Sequence, residues 1–126
     1  MNIGQWSNEA DAISAGYQQI PIKVLLSRIL GNTGYGDYLY GFRFVSTVDQ
    51  DGRMEGTNNV GSYNTGRWTV DETANTFSVE WDQSWATSTT RAYSIGEEIH
   101  FFDADTGLWR MSFTEVVQGK QPLEVR

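Results

Sequence analysis

Cysteine is absent from this chain of 126 residues. Disulfide staples, thiolate catalysis and cysteine-ligated zinc are all excluded, while the compartment stays open because a cysteine-free chain folds in either redox environment. Histidine occurs once, at His100, so a metal site or catalytic triad built on imidazole has no second ring to draw on. No apolar run is long enough to span a bilayer as a helix. The opening residues, MNIGQWSNEADAISAGY, lack the basic start and apolar stretch of a signal peptide. Location is thus left between the periplasm, if a leader has been removed, and the cytoplasm. Basic residues are few, nine against sixteen acidic, for a net charge of -7. They are scattered singly, at Lys23, Arg28, Arg43, Arg53, Arg67, Arg91, Arg110, Lys120 and Arg126. A phosphate backbone would be repelled by that field, so neither nucleic acid nor an anionic membrane surface is expected as a partner.

Aromatic residues make up 13% of the chain, alongside thirteen glycines and only two prolines, the composition of a twisted antiparallel sheet with many tight turns. The length gives one domain over 1–126, able to bury about two-thirds of its unfolded surface. Its clearest element lies between Thr65 and Trp81. Trp68 and Val70 precede the turn Asp71–Asn75, and Phe77, Val79 and Trp81 then alternate with Ser78, Glu80 and Asp82. Such alternation is a half-buried strand, and Trp68 and Val70 can pair with Phe77, Val79 and Trp81 across the hairpin.

Before that hairpin, residues 1–19 read as a polar arm with one helical turn near Glu9–Ser14. In the 20–30 segment Pro21 suits the first helical position, and Ile22, Leu25, Leu26, Ile29 and Leu30 fall on one helical face before Gly31. A helix of roughly ten residues does not stand alone, so it must lie on the sheet or close a barrel mouth. Gly31–Gly36 reads as a flexible loop, and Tyr38–Val48 as one long strand with a bend at Gly41. Asp49-Gln50-Asp51-Gly52 makes a turn into a short strand at Arg53–Thr57.

Beyond the hairpin, Ala86–Ile95, Glu98–Asp103 and Leu108–Val117 are further strands, the first two joined by a Gly96-Glu97 turn. In the last, Trp109, Met111 and Phe113 share a face opposite Arg110, Ser112 and Thr114. Residues 118–126 read as a loose tail, with Leu123 and Val125 able to add an edge strand. Strands over 38–117, seven or eight in number and joined by short turns, predict a mainly β fold: an antiparallel up-and-down meander closed into a barrel, with one short N-terminal helix. A two-sheet sandwich is the alternative.

Thr65-Gly66-Arg67-Trp68 and Thr106-Gly107-Leu108-Trp109 repeat T-G-x-W at two strand openings. These G-x-W openings, the aromatic hairpins and the meander resemble the calycin group, meaning lipocalins, fatty-acid-binding proteins and avidins. Within it, the order of a helix ending Leu-Leu-x-x-Ile-Leu-Gly, a glycine stretch, an aromatic strand, a D-G turn and G-x-W-x-V resembles a family of small uncharacterised bacterial proteins, often exported. The similarity spans about Ala15 to Gly119. It departs from lipocalins, which carry G-x-W on the first strand, and from that bacterial family, which often has cysteines near the W-x-V hairpin. The resemblance implies a ligand-binding barrel and assigns no catalytic residue.

Several residues invite chemistry. Glu98 and His100 share a strand face and could form a general base, against the ordinary reading of a strand histidine. Glu80 and Asp82 share another face and could do acid–base work, against solvation. Asp49–Gly52 lacks the spacing of a calcium loop, and Gly31–Gly36 lacks the lysine and following helix of a phosphate loop, leaving a connector or a lid. Among the mid-strand arginines Arg43, Arg67, Arg91 and Arg110, one pointing inward would mark an internal ion pair or a site for an anionic head group, against the ordinary reading that strand arginines face water and cover aromatic rings; the first choice is Arg91. With Tyr93 beside it, it could grip a carboxylate. Arg43 is the second.

The expected ligand-binding set is Tyr40, Phe42, Trp68, Phe77, Trp81, Arg91, Tyr93 and Phe101, around a small apolar or carboxylate-bearing ligand. No catalytic residue, metal or cofactor is assigned. The alternatives are a barrel enzyme for proton transfer or cyclisation using His100 or Glu80, and a non-catalytic domain that self-associates, as a homodimer, through an edge or an aromatic patch such as Trp6, Trp85 or Trp109.

Overall fold

The structure, a computed structural model, describes residues 7–126. After helix α1 (Glu9–Ser14), the two-residue strand β1 (Gln18–Gln19) and helix α2 (Ile22–Ile29) come eight longer strands. These are β2 (Asn32–Tyr38), β3 (Phe42–Val48), β4 (Arg53–Asn58), β5 (Tyr63–Asp71), β6 (Thr76–Trp81), β7 (Ser88–Ile95), β8 (Glu98–Asp103) and β9 (Trp109–Val117). Each pairs antiparallel with the next, and β9 returns to pair with β2, closing an up-and-down barrel of eight strands. β1 pairs with the end of β7 that β6 does not reach. The expected hairpin forms in register, with Trp68 opposite Val79 and Val70 opposite Phe77.

Alternation sends one face of each strand inward, where rings such as Phe44, Phe77, Phe101 and Phe113 pack among aliphatic side chains such as Val48, Met54, Val79 and Ile99. Ring contacts run without a break from Trp68 to Phe77, Phe101, Phe113, Phe44 and Tyr38, at centroid separations of 5.5 to 6.2 Å. Offset and edge-on pairs of this kind each add about 0.5–1.5 kcal/mol beyond area burial. These rings occupy the middle of the barrel.

Helix α2 seals one end. Ile22, Leu25 and Ile29 are buried on its inner face, in the same core as Val48, Met54 and Phe77. Its first turn is fastened by Asn75, whose side chain accepts from the Ile22 amide at 2.9 Å and donates to the Ile20 carbonyl at 3.2 Å. Asn75 itself sits at φ 57 in the β5–β6 turn, a conformation asparagine tolerates better than most residues. Pro21 stands at the N-cap, one position before the first helical residue.

Four expectations are corrected. The glycine-rich 31–36 stretch is not a flexible loop, because β2 occupies Asn32–Tyr38 and pairs on both sides. Tyr38–Val48 is not one strand. Leu39–Gly41 form a 3₁₀ turn in which Tyr40 (φ 67) and Gly41 (φ 78) reverse the chain. Trp109 does not share a face with Met111 and Phe113, since the β8–β9 register shifts between Phe101 and Phe102, leaving Arg110 as an extra residue. The tail adds no strand, yet it is tied down. Thr33 Oγ1 donates to the Gly119 carbonyl and accepts from the Gln121 amide, and Lys120 pairs with Glu55.

Glycine in β2 is required by distance and not by turn geometry. A Cβ on Gly36 would lie 1.7 Å from the carbonyl oxygen of Ser112 on β9, a backbone atom that has nowhere to go. Gly36→Ala should therefore destabilise the protein by about 3 kcal/mol or more, beyond ordinary overpacking, read as a lowered urea midpoint. A loss below about 1 kcal/mol would show that the β2–β9 seam gives way.

Candidate functional site

The barrel end opposite α2 carries the β2–β3, β4–β5, β6–β7 and β8–β9 connections, and here packing is incomplete. A cavity of about 40 Å³ lies between Tyr38, Phe44, Val79, Trp81, Trp85, Arg110 and Met111, room for a few waters. Trp85 comes from the 82–87 connection and reaches over the mouth. Its ring stands 4.7 Å from Trp81 and 6.0 Å from Tyr38, and its indole N–H donates to Ser62 Oγ at 3.0 Å. A Cβ on Gly56 would meet this ring at 2.9 Å, so the absence of a side chain there makes room for Trp85. The connection is held from below as well, by Asn64 Oδ1 accepting from the Gln83 amide.

Among the described residues Arg110 is the one charged side chain lining this cavity. A strict alternation would point it outward; the extra residue in β9 turns it to the mouth. Its Nη2 donates to the Thr87 carbonyl at 3.1 Å, and Nη1 lies 3.9 Å from Asp103 Oδ2. The other Asp103 oxygen, Oδ1, caps the β8–β9 turn, accepting from the Asp105 and Thr106 amides. A guanidinium has five N–H donors, so Arg110 keeps donors for an incoming acceptor.

Arg91 and Tyr93 do grip a carboxylate, but on the outer face, and it belongs to the chain itself. Arg91 Nε and Nη2 donate to the two Glu9 oxygens at 2.6 and 2.8 Å, and the Tyr93 hydroxyl adds a third bond at 2.8 Å. The Arg91 bond holds the Glu9 carboxyl below its ordinary value against the opposing effect of burial, with Tyr93 contributing. Burial, then the Glu9 bond, pushes Tyr93 up to about 12. This clamp seats α1 over an outer apolar cluster of Ala12, Tyr93, Phe102 and Trp109.

His100 and Glu98 do share a face, with Nε2 2.9 Å from Glu98 Oε1. The indole N–H of Trp109 points at Nδ1, 3.0 Å away, so Nδ1 is the acceptor and Nε2 carries the proton given to Glu98. Both nitrogens are engaged, and His100 lies on the outer side of the sheet, away from the mouth cavity. Glu80 is exposed opposite Arg67. Among the described residues no cluster of His, Cys, Asp and Glu suits a metal ion, and no helix is long and apolar enough to cross a membrane.

Of the expected ligand-binding residues, only Trp81 lines the mouth cavity. Trp68, Phe77 and Phe101 lie deeper in the core. Phe42 stacks on Tyr38 at 5.4 Å, and Tyr40 is 84% exposed. Arg91 and Tyr93 are outside the barrel. Arg43, the second choice, lies on the exposed surface 3.9 Å from Asp37. Trp85 was missed as a cavity residue, and Arg110 was weighed behind Arg91 and Arg43. Of the aromatic patch residues, Trp109 is buried, Trp85 is half-buried and Trp6 lies outside the described residues. The chain matches no protein-family model, and neither the curated proteins nor the solved structures give a match.

The Glu9 clamp has a pH signature. Because the folded carboxyl titrates below its unfolded value of about 4.3, its contribution is complete above that pH and is lost as pH falls through the depressed folded value. Glu9→Gln should cost about 1.5–3 kcal/mol at pH 7, the range for charge-assisted hydrogen bonds. In urea unfolding the gap between wild type and variant should then close towards pH 3. A gap independent of pH would assign the loss to packing instead.

Proposed function

We propose that this chain is a calycin-like binding protein that takes a small ligand at the open mouth of its barrel, apolar body against Trp81, Trp85, Tyr38 and Met111, and carboxylate end on Arg110. The observation that carries the reading is the placement of a guanidinium with unused donors above a cavity lined otherwise almost wholly by aromatic and aliphatic side chains. Apolar walls with one well-placed charge are the common form of a small-molecule site, and the planar fork of arginine matches a carboxylate in two bonds. The solid core below the mouth limits how far a ligand enters. Anything larger than a few waters must displace Trp85, which is carried on a connection and not on a strand.

The proton-transfer alternative gains nothing from the geometry, because neither His100 nor Glu80 lines the cavity. Intrinsic tryptophan fluorescence offers the test, since two tryptophans flank the site. Titration at pH 7 with hexanoate and with hexan-1-ol should give saturable quenching or shift, with hexanoate the tighter, and saturating hexanoate should raise the thermal midpoint by linkage. Arg110→Gln should weaken hexanoate by about 10- to 100-fold, as expected for a charge-assisted bond, and leave hexan-1-ol within about twofold. A flat response to both probes, or equal weakening of both by Arg110→Gln, would overturn the reading.

A further inference from the structure

We propose that His100 is a positioning residue for the mouth: by accepting the Trp109 indole N–H it pins Trp109 to the outer face and thereby fixes the bulge that turns Arg110 into the cavity. Its consequence for binding rests on the mouth reading given above; the positional claim itself does not. Ile99 and Phe113, then Phe101 and Met111, are inward pairs, while His100 with Ser112 and Phe102 with Trp109 are outward pairs. Between Met111 and Trp109 stands one residue with no partner on β8, and it is Arg110. An unbulged β9 would put Trp109 inside and Arg110 outside. The bulge exchanges them, so whatever holds Trp109 out holds Arg110 in.

Three contacts hold Trp109 out. Its amide donates to the Ser7 carbonyl at 3.0 Å, its ring packs with Ala12, Tyr93 and Phe102, and its indole N–H donates to His100 Nδ1 at 3.0 Å. Only the last is specific to an indole in this orientation. It also needs a neutral imidazole with its proton on Nε2, which Glu98 secures from the other side at 2.9 Å. Glu98, His100, Trp109 and Arg110 therefore form one line of contacts from the outer surface to the cavity. His100 is 4% exposed and Trp109 3%, so water offers the indole no substitute acceptor.

The test compares His100→Leu, which removes the acceptor, Trp109→Phe, which removes the donor and keeps a ring, and His100→Asn, whose amide oxygen can stand where Nδ1 stood. Hexanoate and hexan-1-ol are titrated against each, and NOEs from the labelled Arg110 side chain to Trp81 and Met111 report its position without any ligand. His100→Leu and Trp109→Phe should weaken hexanoate about tenfold, leave hexan-1-ol within about twofold and lose the Arg110 NOEs. His100→Asn should restore both readouts. Equal weakening of the two probes, unchanged hexanoate affinity, or failure of His100→Asn to restore would overturn the proposal. Should wild type bind neither probe, the mouth reading fails alone and the NOEs decide: their persistence in His100→Leu and Trp109→Phe overturns the positioning role, and their loss with recovery in His100→Asn upholds it.

Discussion

The barrel depends on the approach of β2 to β9, where the first and last long strands meet to close the sheet. At Gly36 the backbones come so near that a single methyl group would overlap the Ser112 carbonyl, and at Gly34 a Cβ would lie 2.4 Å from the Phe113 ring. Closing eight short strands also demands curvature, and β9 supplies it with an extra residue on each side: Thr114 against β2 and Arg110 against β8. Each bulge bends and twists its strand more than regular pairing would. The Thr114 hydroxyl returns to the Tyr35 carbonyl at 3.1 Å, so that disruption is partly healed. The Arg110 bulge opens onto the mouth, and the inward arginine is thus a consequence of how the sheet closes.

Given closure, the interior of an eight-stranded barrel is just wide enough to be filled by side chains. Here aliphatic side chains and then rings fill it from the α2 end upward, and a cavity is left at the open end. The difference between the ends lies in their covers. Helix α2 brings three buried aliphatic side chains and is bolted by Asn75, whereas the mouth is covered by one indole on a connection. The outer face has covers of its own. Helix α1 lies over Tyr93, Phe102 and Trp109, and the C-terminal residues cross β2 and β4 through Thr33, Glu55 and the cation–π contact of Arg126 with Tyr35, 4.1 Å from its ring centre. These covers explain why Phe101 and Phe102, adjacent in sequence and on opposite faces, are both fully buried.

Alternation of ring and polar residues made the β5–β6 hairpin, its register and the 98–103 strand legible, because a period of two follows directly from the pleat. Helix α2 was legible from its stripe, and even the short α1 fell at the predicted place. The failures share a cause. Glycine at 31–36 speaks for a loop in isolation, and only the partner strand shows that it marks a close approach. A bulge has no local signature in Trp109-Arg110-Met111, since the alternation there is regular; it appears only when β8 is laid beside it. The candidate site suffered most, because an inverted face carries Arg110 from the outer surface to the mouth cavity. Arginine beside tyrosine in β7 correctly signalled a carboxylate grip, yet nothing in that spacing told whether the carboxylate was a ligand's or the chain's own.

The contrast between Arg91 and Arg110 carries the functional argument. Both lie mid-sheet among aromatics in a chain of net charge -7, where carboxylates are plentiful and a cation would be expected to find one. Arg91 has done so: both Glu9 oxygens and the Ala104 carbonyl take its donors, leaving little with which to bind anything else. Among the described residues Arg110 meets the Thr87 carbonyl and, at 3.9 Å, Oδ2 of Asp103, whose other oxygen accepts from two amides. Its surroundings on the cavity side are mainly apolar, with the Ser88 and Tyr38 hydroxyls as the polar groups of the lining. A side chain held by a bulge in such a place retains hydrogen-bonding capacity beyond its bond to Thr87 and its long ion pair with Asp103, and the proposed anion site rests on that capacity.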